Sequence, residues 1–206
     1  MKTFVHEILA DIDWRTSELA TLKSIPIRYS FSPDHRELHI KYSIPAIYSI
    51  WEGFIKNCFT VYSNHLNTLS LNRSNISYAL LTHQIDSECD FSNPRVHFDK
   101  KMKLVQSLDD LFQDTITIKP TVPTESNVNL KVLNRLLERF CIPELDEDYS
   151  KGLNKLLLFR NKIAHGENSI IVNMTHVTEF ISLVENLMLD VVIGVELCER
   201  NETFKK

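Results

Sequence analysis

The stretch Ile44-Pro45-Ala46-Ile47-Tyr48-Ser49-Ile50-Trp51-Glu52-Gly53-Phe54-Ile55-Lys56-Asn57-Cys58-Phe59-Thr60-Val61-Tyr62 decides the fold class. Placed on a helix at 100° per residue, Ile44, Ile47, Tyr48, Trp51, Phe54, Ile55, Cys58, Phe59 and Tyr62 cover about half the circumference. Gly53, Lys56, Asn57 and Asn64 lie opposite. An apolar arc that broad predicts a central helix touched by several neighbours, because a surface helix needs only one narrow stripe. The helix should start at Ser32-Pro33-Asp34, a capping serine followed by a proline at the first helical position. It should run to about residue 68, with Pro45 the place where it could kink.

The same period recurs on both sides. Phe4, Val5, Ile8, Leu9, Ile12, Leu19 and Leu22 predict a helix over 3–24, ended by Ile25-Pro26-Ile27. Further helices are expected at 75–87, 98–113, 127–140, 149–165 and 174–199. Gly166 is placed to stop the sixth of these seven, and Val177, Phe180, Ile181, Val184, Leu187, Met188, Val191 and Val192 form the buried side of the last. Thr115-Ile116-Thr117-Ile118 alternates like a short strand but fits an extended loop equally well. Residues 119–127, with two prolines and several small polar residues, read as an irregular connector. The expected architecture is all-α, a bundle of five to seven helices in one domain over residues 1–206.

Composition narrows the function. Of 206 residues, 43% are hydrophobic and 24% charged, enough apolar material for one core. Only 4 glycines and 7 prolines argue against a turn-rich sandwich or barrel. The net charge of -4 gives no global pull toward nucleic acid, so RNA binding would need a local basic patch or the site itself. The cysteines (Cys58, Cys89, Cys141 and Cys198) form no Cys-x-x-Cys pair and read as reduced thiols. His35 and His39 stand at i and i+4, but a third metal ligand is not evident, and they read as surface histidines. No apolar run reaches membrane-spanning length, and the first residues lack a signal-peptide pattern, so a cytoplasmic protein without a membrane anchor is expected.

Chemistry concentrates at Arg160-Asn161-Lys162-Ile163-Ala164-His165-Gly166. Arginine stays charged at any working pH and can grip a phosphate with a planar fork. Histidine, with an ordinary pKa near 6.5, can take or give a proton at neutrality. Together they supply what RNA cleavage without a metal requires: a cation on the non-bridging oxygens and a proton carrier for the 2′-OH. No cofactor is called for. Arg160 and His165 are separated by about 500° of rotation and so lie about 140° apart. They meet on one phosphate only if the last turn unwinds, or if two copies of the helix face each other across a symmetric dimer. Asn161 and His165, at i and i+4, share a face, so the Asn161 amide could orient the imidazole. The alternative reading is structural: Arg160 a surface charge, His165 a partner for the helix C-terminal dipole.

Arg160-Asn161 followed by His165 and Gly166 resembles the signature of the HEPN superfamily, Arg and His separated by four to six residues with a polar residue after the Arg. Ile50-Trp51-Glu52-Gly53-Phe54-Ile55-Lys56 resembles a Trp-Glu-Gly stretch in a prokaryotic HEPN branch linked to toxin–antitoxin and defence loci. The resemblance implies a metal-independent endoribonuclease acting on an RNA substrate as a homodimer. Arg160 and His165 would be catalytic, Asn161 supporting, and a cognate antitoxin or defence-system protein would be the partner. It equally embraces silent HEPN-type adapters that bind or dimerise without chemistry. Trp51 reads as core, and Glu52 either pairs with Lys56 or faces the site.

Overall fold

Helix α2, Pro33–Thr68, is the axis of the molecule, and its broad apolar arc is met from three sides. The computed structural model describes residues 3–89, 98–110, 116–120, 127–167 and 169–206. Among these, seven helices form an all-α bundle: α1 (Thr3–Arg28), α2, α3 (Tyr78–Cys89), α4 (Phe98–Asp110), α5 (Leu130–Arg139), α6 (Asp148–Ala164) and α7 (Met174–Asn201). Helices α1, α6 and α7 all pack on α2, α1 also packs on α7, and α5 bridges α3 to α6. Ile44, Ile47, Tyr48, Trp51, Phe54, Ile55, Cys58, Phe59 and Tyr62 are all essentially inaccessible. The wide arc is thus spent on neighbours.

The start of α2 follows its sequence: the Ser32 hydroxyl accepts the His35 N–H at 3.3 Å, with Pro33 at the first position. The end of α1 does not. The helix continues through Ile25-Pro26-Ile27 to Arg28 instead of stopping there. Proline has no N–H to give the carbonyl four residues earlier, which is that of Leu22. His39 Nε2 lies 3.1 Å from this Leu22 oxygen and replaces the missing donor. His39 is therefore a half-buried tie between α1 and α2 rather than a surface histidine.

Ile116 to Ile118 forms no strand. The Ile116 N–H donates to the Leu71 carbonyl at 2.7 Å, and the Asn67 amide takes both backbone groups of Ile118, at 2.7 and 2.9 Å. One side chain thus does for Ile118 what a neighbouring strand would do. The third helix starts at Tyr78, later than expected, because Asn72 to Asn75 form a tight turn closed by the Asn75 and Asn72 side chains. Within the expected connector 119–127, residues 121–126 lie outside the described residues, as do 111–113 of the expected fourth helix and Thr115 of the alternating stretch. No described helix is long and apolar enough to cross a membrane.

Candidate active site

Helix α6 reaches Arg160 in its last turns by burying Leu153, Leu156, Leu157 and Ile163. It then closes on its own backbone. Gly166 takes φ +75°, its N–H donates to the Ile163 carbonyl at 3.0 Å, and the Glu167 N–H donates to the Lys162 carbonyl at 2.9 Å. This pair of bonds is a Schellman closure, which satisfies carbonyls a helix otherwise leaves bare. The His165 N–H still donates to the Asn161 carbonyl at 3.0 Å, so the helical repeat persists to His165. The last turn does not unwind, and the angular separation of Arg160 from His165 remains.

Arg160 is half-buried and turned toward α2. Its guanidinium carbon lies 4.7 Å from the centre of the Tyr48 ring. Nη1 donates to the Asn161 side-chain oxygen at 2.8 Å and, more weakly, to that of Asn127 at 3.4 Å. Arg160 forms no ion pair with any described residue, and its Nε and Nη2 donate to none of them. A cation clamped on one edge by two amides and on one face by an aromatic ring keeps the rest of its fork available.

Tyr48 ties this clamp to the centre of the bundle. Its hydroxyl accepts the Val128 N–H at 2.9 Å, with the Glu52 carboxylate near enough to act on it through its charge. Burial is the main reason its pKa lies above the ordinary tyrosine value. The Val128 N–H and the Arg160 charge oppose that rise, and Glu52 adds to it. Glu52 in turn receives Lys56 Nζ at 2.6 Å. It therefore pairs with Lys56, and its charge also acts on the Tyr48 hydroxyl.

The two flanking residues of the Trp-Glu-Gly stretch point elsewhere. Trp51 is fully buried and its indole N–H donates to the Val128 carbonyl at 3.3 Å. Gly53 faces α1, where a Cβ would come within 2.9 Å of Arg15 Nη1. That Arg15 group is buried, bonded to the Ile50 carbonyl at 2.9 Å, while its Nε pairs with Asp11 at 2.7 Å. Three consecutive residues thus serve the core, an ion pair with Lys56 and a buried cation.

His165 is exposed, and no hydrogen bond from its imidazole is found among the described residues. Asn161 does not hold it: the amide oxygen is taken by Arg160. The expected Asn161–His165 contact is replaced by an Arg160–Asn161 one, because the neighbouring guanidinium is the stronger donor. Within one chain the structure brings Arg160 and Asn161 together and leaves His165 on another face. The sequence reading missed Tyr48 and Asn127. Tyr48 was counted as core, and the signal available was its place one helical turn before Glu52. No group of three or more His, Cys, Asp or Glu positioned to hold a metal ion occurs among the described residues.

A family model described as MAE_28990-like HEPN matches residues 4–204, nearly the whole chain. No match was found among curated proteins or among solved structures.

Proposed function

The chain belongs to the MAE_28990-like HEPN family, and from that premise we propose that it is a metal-independent endoribonuclease with Arg160 and His165 as catalytic residues. The observation that carries the reading is the Arg160 clamp. A partly buried arginine without a carboxylate partner among the described residues, held on one edge by Asn161 and on one face by Tyr48, keeps its outer donors open to solvent and so to an incoming anion. The bland explanation of His165 loses ground at the same time. The helix end is closed by the backbone of Gly166 and Glu167, so the imidazole is not needed as its cap.

In this reaction the ribose 2′-oxygen attacks the adjacent phosphorus as its proton passes to an imidazole. The bond from phosphorus to the 5′-oxygen breaks, and that oxygen takes a proton. The products are a 2′,3′-cyclic phosphate and a 5′-OH. A positioned histidine contributes typically about 10²–10⁴-fold. Arg160 would hold the non-bridging oxygens as charge builds on them. Asn161 acts through Arg160, fixing the guanidinium, rather than through the imidazole.

Because the helix stays regular through His165, one chain presents its two groups on different faces. Two copies of the C-terminal end of α6 meeting about a two-fold axis would put two arginines and two histidines around one cleft. The working form in this reading is a homodimer. Mixing tests it. Arg160→Ala and His165→Ala proteins, each inactive alone, should regain part of the parental activity when co-refolded, since the mixed dimer holds one intact Arg–His pair drawn from both chains. Lack of any recovery from a demonstrated mixed dimer counts against the shared cleft.

The biological role that fits is a toxin or defence effector restrained by an antitoxin or defence-system partner. Cleavage of RNA in excess EDTA, with cyclic phosphate ends, is the direct assay. A folded protein that cleaves no RNA would instead be a silent HEPN-type adapter.

A further inference from the structure

We propose that the exposed aromatic tip of the α1–α2 hairpin is a docking platform for single-stranded RNA leading toward Arg160. The inference rests on the ribonuclease reading and adds to it a place for the substrate strand outside the cleft. Between Lys23 and Tyr42 the chain carries Lys23, Arg28, Arg36 and Lys41 against Asp34 and Glu37, a basic segment in a chain of net charge -4. Arg28 and Arg36 are exposed and pair with no described carboxylate. Among them stand Tyr29, 63% exposed, Phe31, 36%, and Tyr42, 55%. Tyr29 and Phe31 are stacked at 6.4 Å, and Phe31 leans on His39 at 6.0 Å. These rings are held in place from below while their outer faces remain in water.

That combination fits unpaired bases. Every base has a π-face, so aromatic rings bind a strand with little regard to sequence, and nearby cations track its phosphates. The segment also exposes Ile27 and Leu38, and aromatic and arginine side chains anchor protein interfaces as well, so it is the surplus of cations that favours a phosphate-bearing strand; a duplex would offer phosphates but no free base faces. The tip and the site lie along the same helix. Tyr42 precedes Tyr48 by six residues, about 9 Å along α2 and about 120° around it, so a strand passing from Tyr42 to Arg160 must wrap partly round the helix. Lys41 lies almost two full turns before Tyr48 and about 20° from it, in line with the ring that carries Arg160. From Tyr48 to the start of α2 is about 22 Å, a length within the roughly 4–16 nucleotides that single-strand binding surfaces cover.

The test measures binding apart from cleavage. Fluorescence anisotropy with a labelled single-stranded RNA of about twelve nucleotides is run on the full chain carrying His165→Ala, so that the probe survives. Adding Tyr29→Ala or Tyr42→Ala should weaken binding at least about fivefold each, whereas Tyr29→Phe and Tyr42→Phe should bind as the His165→Ala parent does. Arg28→Gln with Arg36→Gln should lower the slope of log affinity against log salt by roughly 0.7 for each phosphate contact removed. Duplex RNA of the same length should bind more weakly and respond less to the tyrosine changes. If the native chain cleaves RNA and the alanine variants bind the probe unchanged, the platform is wrong and the active-site reading stands. If the same variants lose only a protein partner, the tip is a protein-docking surface and the proposal is overturned. A parent that neither binds nor cleaves single-stranded RNA overturns both.

Discussion

Two short stretches, Trp51 to Gly53 in α2 and Arg160 to Gly166 at the end of α6, look equally distinctive in the sequence and behave oppositely in the structure. In the first, Trp51 fills the core, Glu52 is bonded to Lys56, and Gly53 makes room for the buried Arg15 pair. In the second, the backbone alone closes the helix, while Arg160 keeps unused donors and His165 stands in solvent. The lesson is about where stability is stored. A helix end that caps itself through Gly166 can carry polar side chains that contribute little to the fold, and those are the side chains free to do chemistry. The two stretches meet at Tyr48, whose ring supports Arg160 and whose hydroxyl accepts the N–H of Val128, the residue whose carbonyl receives the Trp51 indole.

The contrast predicts opposite mutational phenotypes. The largest effect on activity should come from His165→Ala, with a loss of about 10²–10⁴-fold in RNA cleavage rate and a change in unfolding free energy within about 0.5 kcal/mol. Arg160→Ala should be nearly as damaging to the rate but cost about 1 kcal/mol of stability, since it also gives up the Tyr48 contact and a bond to Asn161. The mirror image is Trp51→Ala. It opens a cavity in the middle of the bundle and should cost about 3–5 kcal/mol, read by denaturant unfolding, with soluble yield falling alongside. If Trp51→Ala proves stable while His165→Ala unfolds, the division of labour between the two stretches is wrong.

Finer changes sharpen the comparison. Arg160→Lys keeps the charge but loses the planar fork that Asn127 and Asn161 hold and that the proposed reaction would set on a phosphate, so cleavage should drop by about tenfold or more with stability nearly unchanged. Asn161→Ala should be milder, loosening the guanidinium without removing it; a loss as large as that of Arg160→Ala would mean that Asn161 touches the substrate itself.

The smallest effect comes from a buried histidine. His83 is buried, and burial holds its imidazole below the ordinary value, against the support of the Lys119 carbonyl. The folded state therefore binds this proton less readily than the unfolded one. The sign follows: stability is full above the unfolded pKa near 6.5 and declines as pH falls below it. Chemical denaturation at about pH 7 and about pH 5.5 should show that decline, and His83→Gln should reduce it.

How much of this was legible in the sequence depends on range. The seven helices were readable because apolar period and local caps are near-neighbour properties, as Ser32 and Gly166 illustrate. The end of α1 was misread because Pro26 looks like a stop locally, and the donor that rescues the Leu22 carbonyl comes from His39 on the next helix. Asn67 substitutes for a strand partner of Ile118 in the same long-range way. At the site, Arg160 and His165 stood out because their chemistry is unusual side by side. Their supports did not. Tyr48 and Asn127 are ordinary residues far away in the chain, and the i, i+4 rule assigned the Asn161 amide to the imidazole when the adjacent guanidinium outcompetes it.

The central claim, that Arg160 and His165 cleave RNA on a scaffold that does not need them, is tested most directly by one paired measurement. Parental and His165→Ala proteins, matched for helicity and unfolding midpoint, are incubated with single-stranded RNA in excess EDTA, and cleavage rate and end groups are read together. The account predicts 2′,3′-cyclic phosphate and 5′-OH ends from the parent and a loss of about 10²–10⁴-fold in rate from the variant. A folded His165→Ala protein that cleaves as fast as the parent, or a parent whose cleavage stops on chelation and returns with a divalent cation, would contradict it.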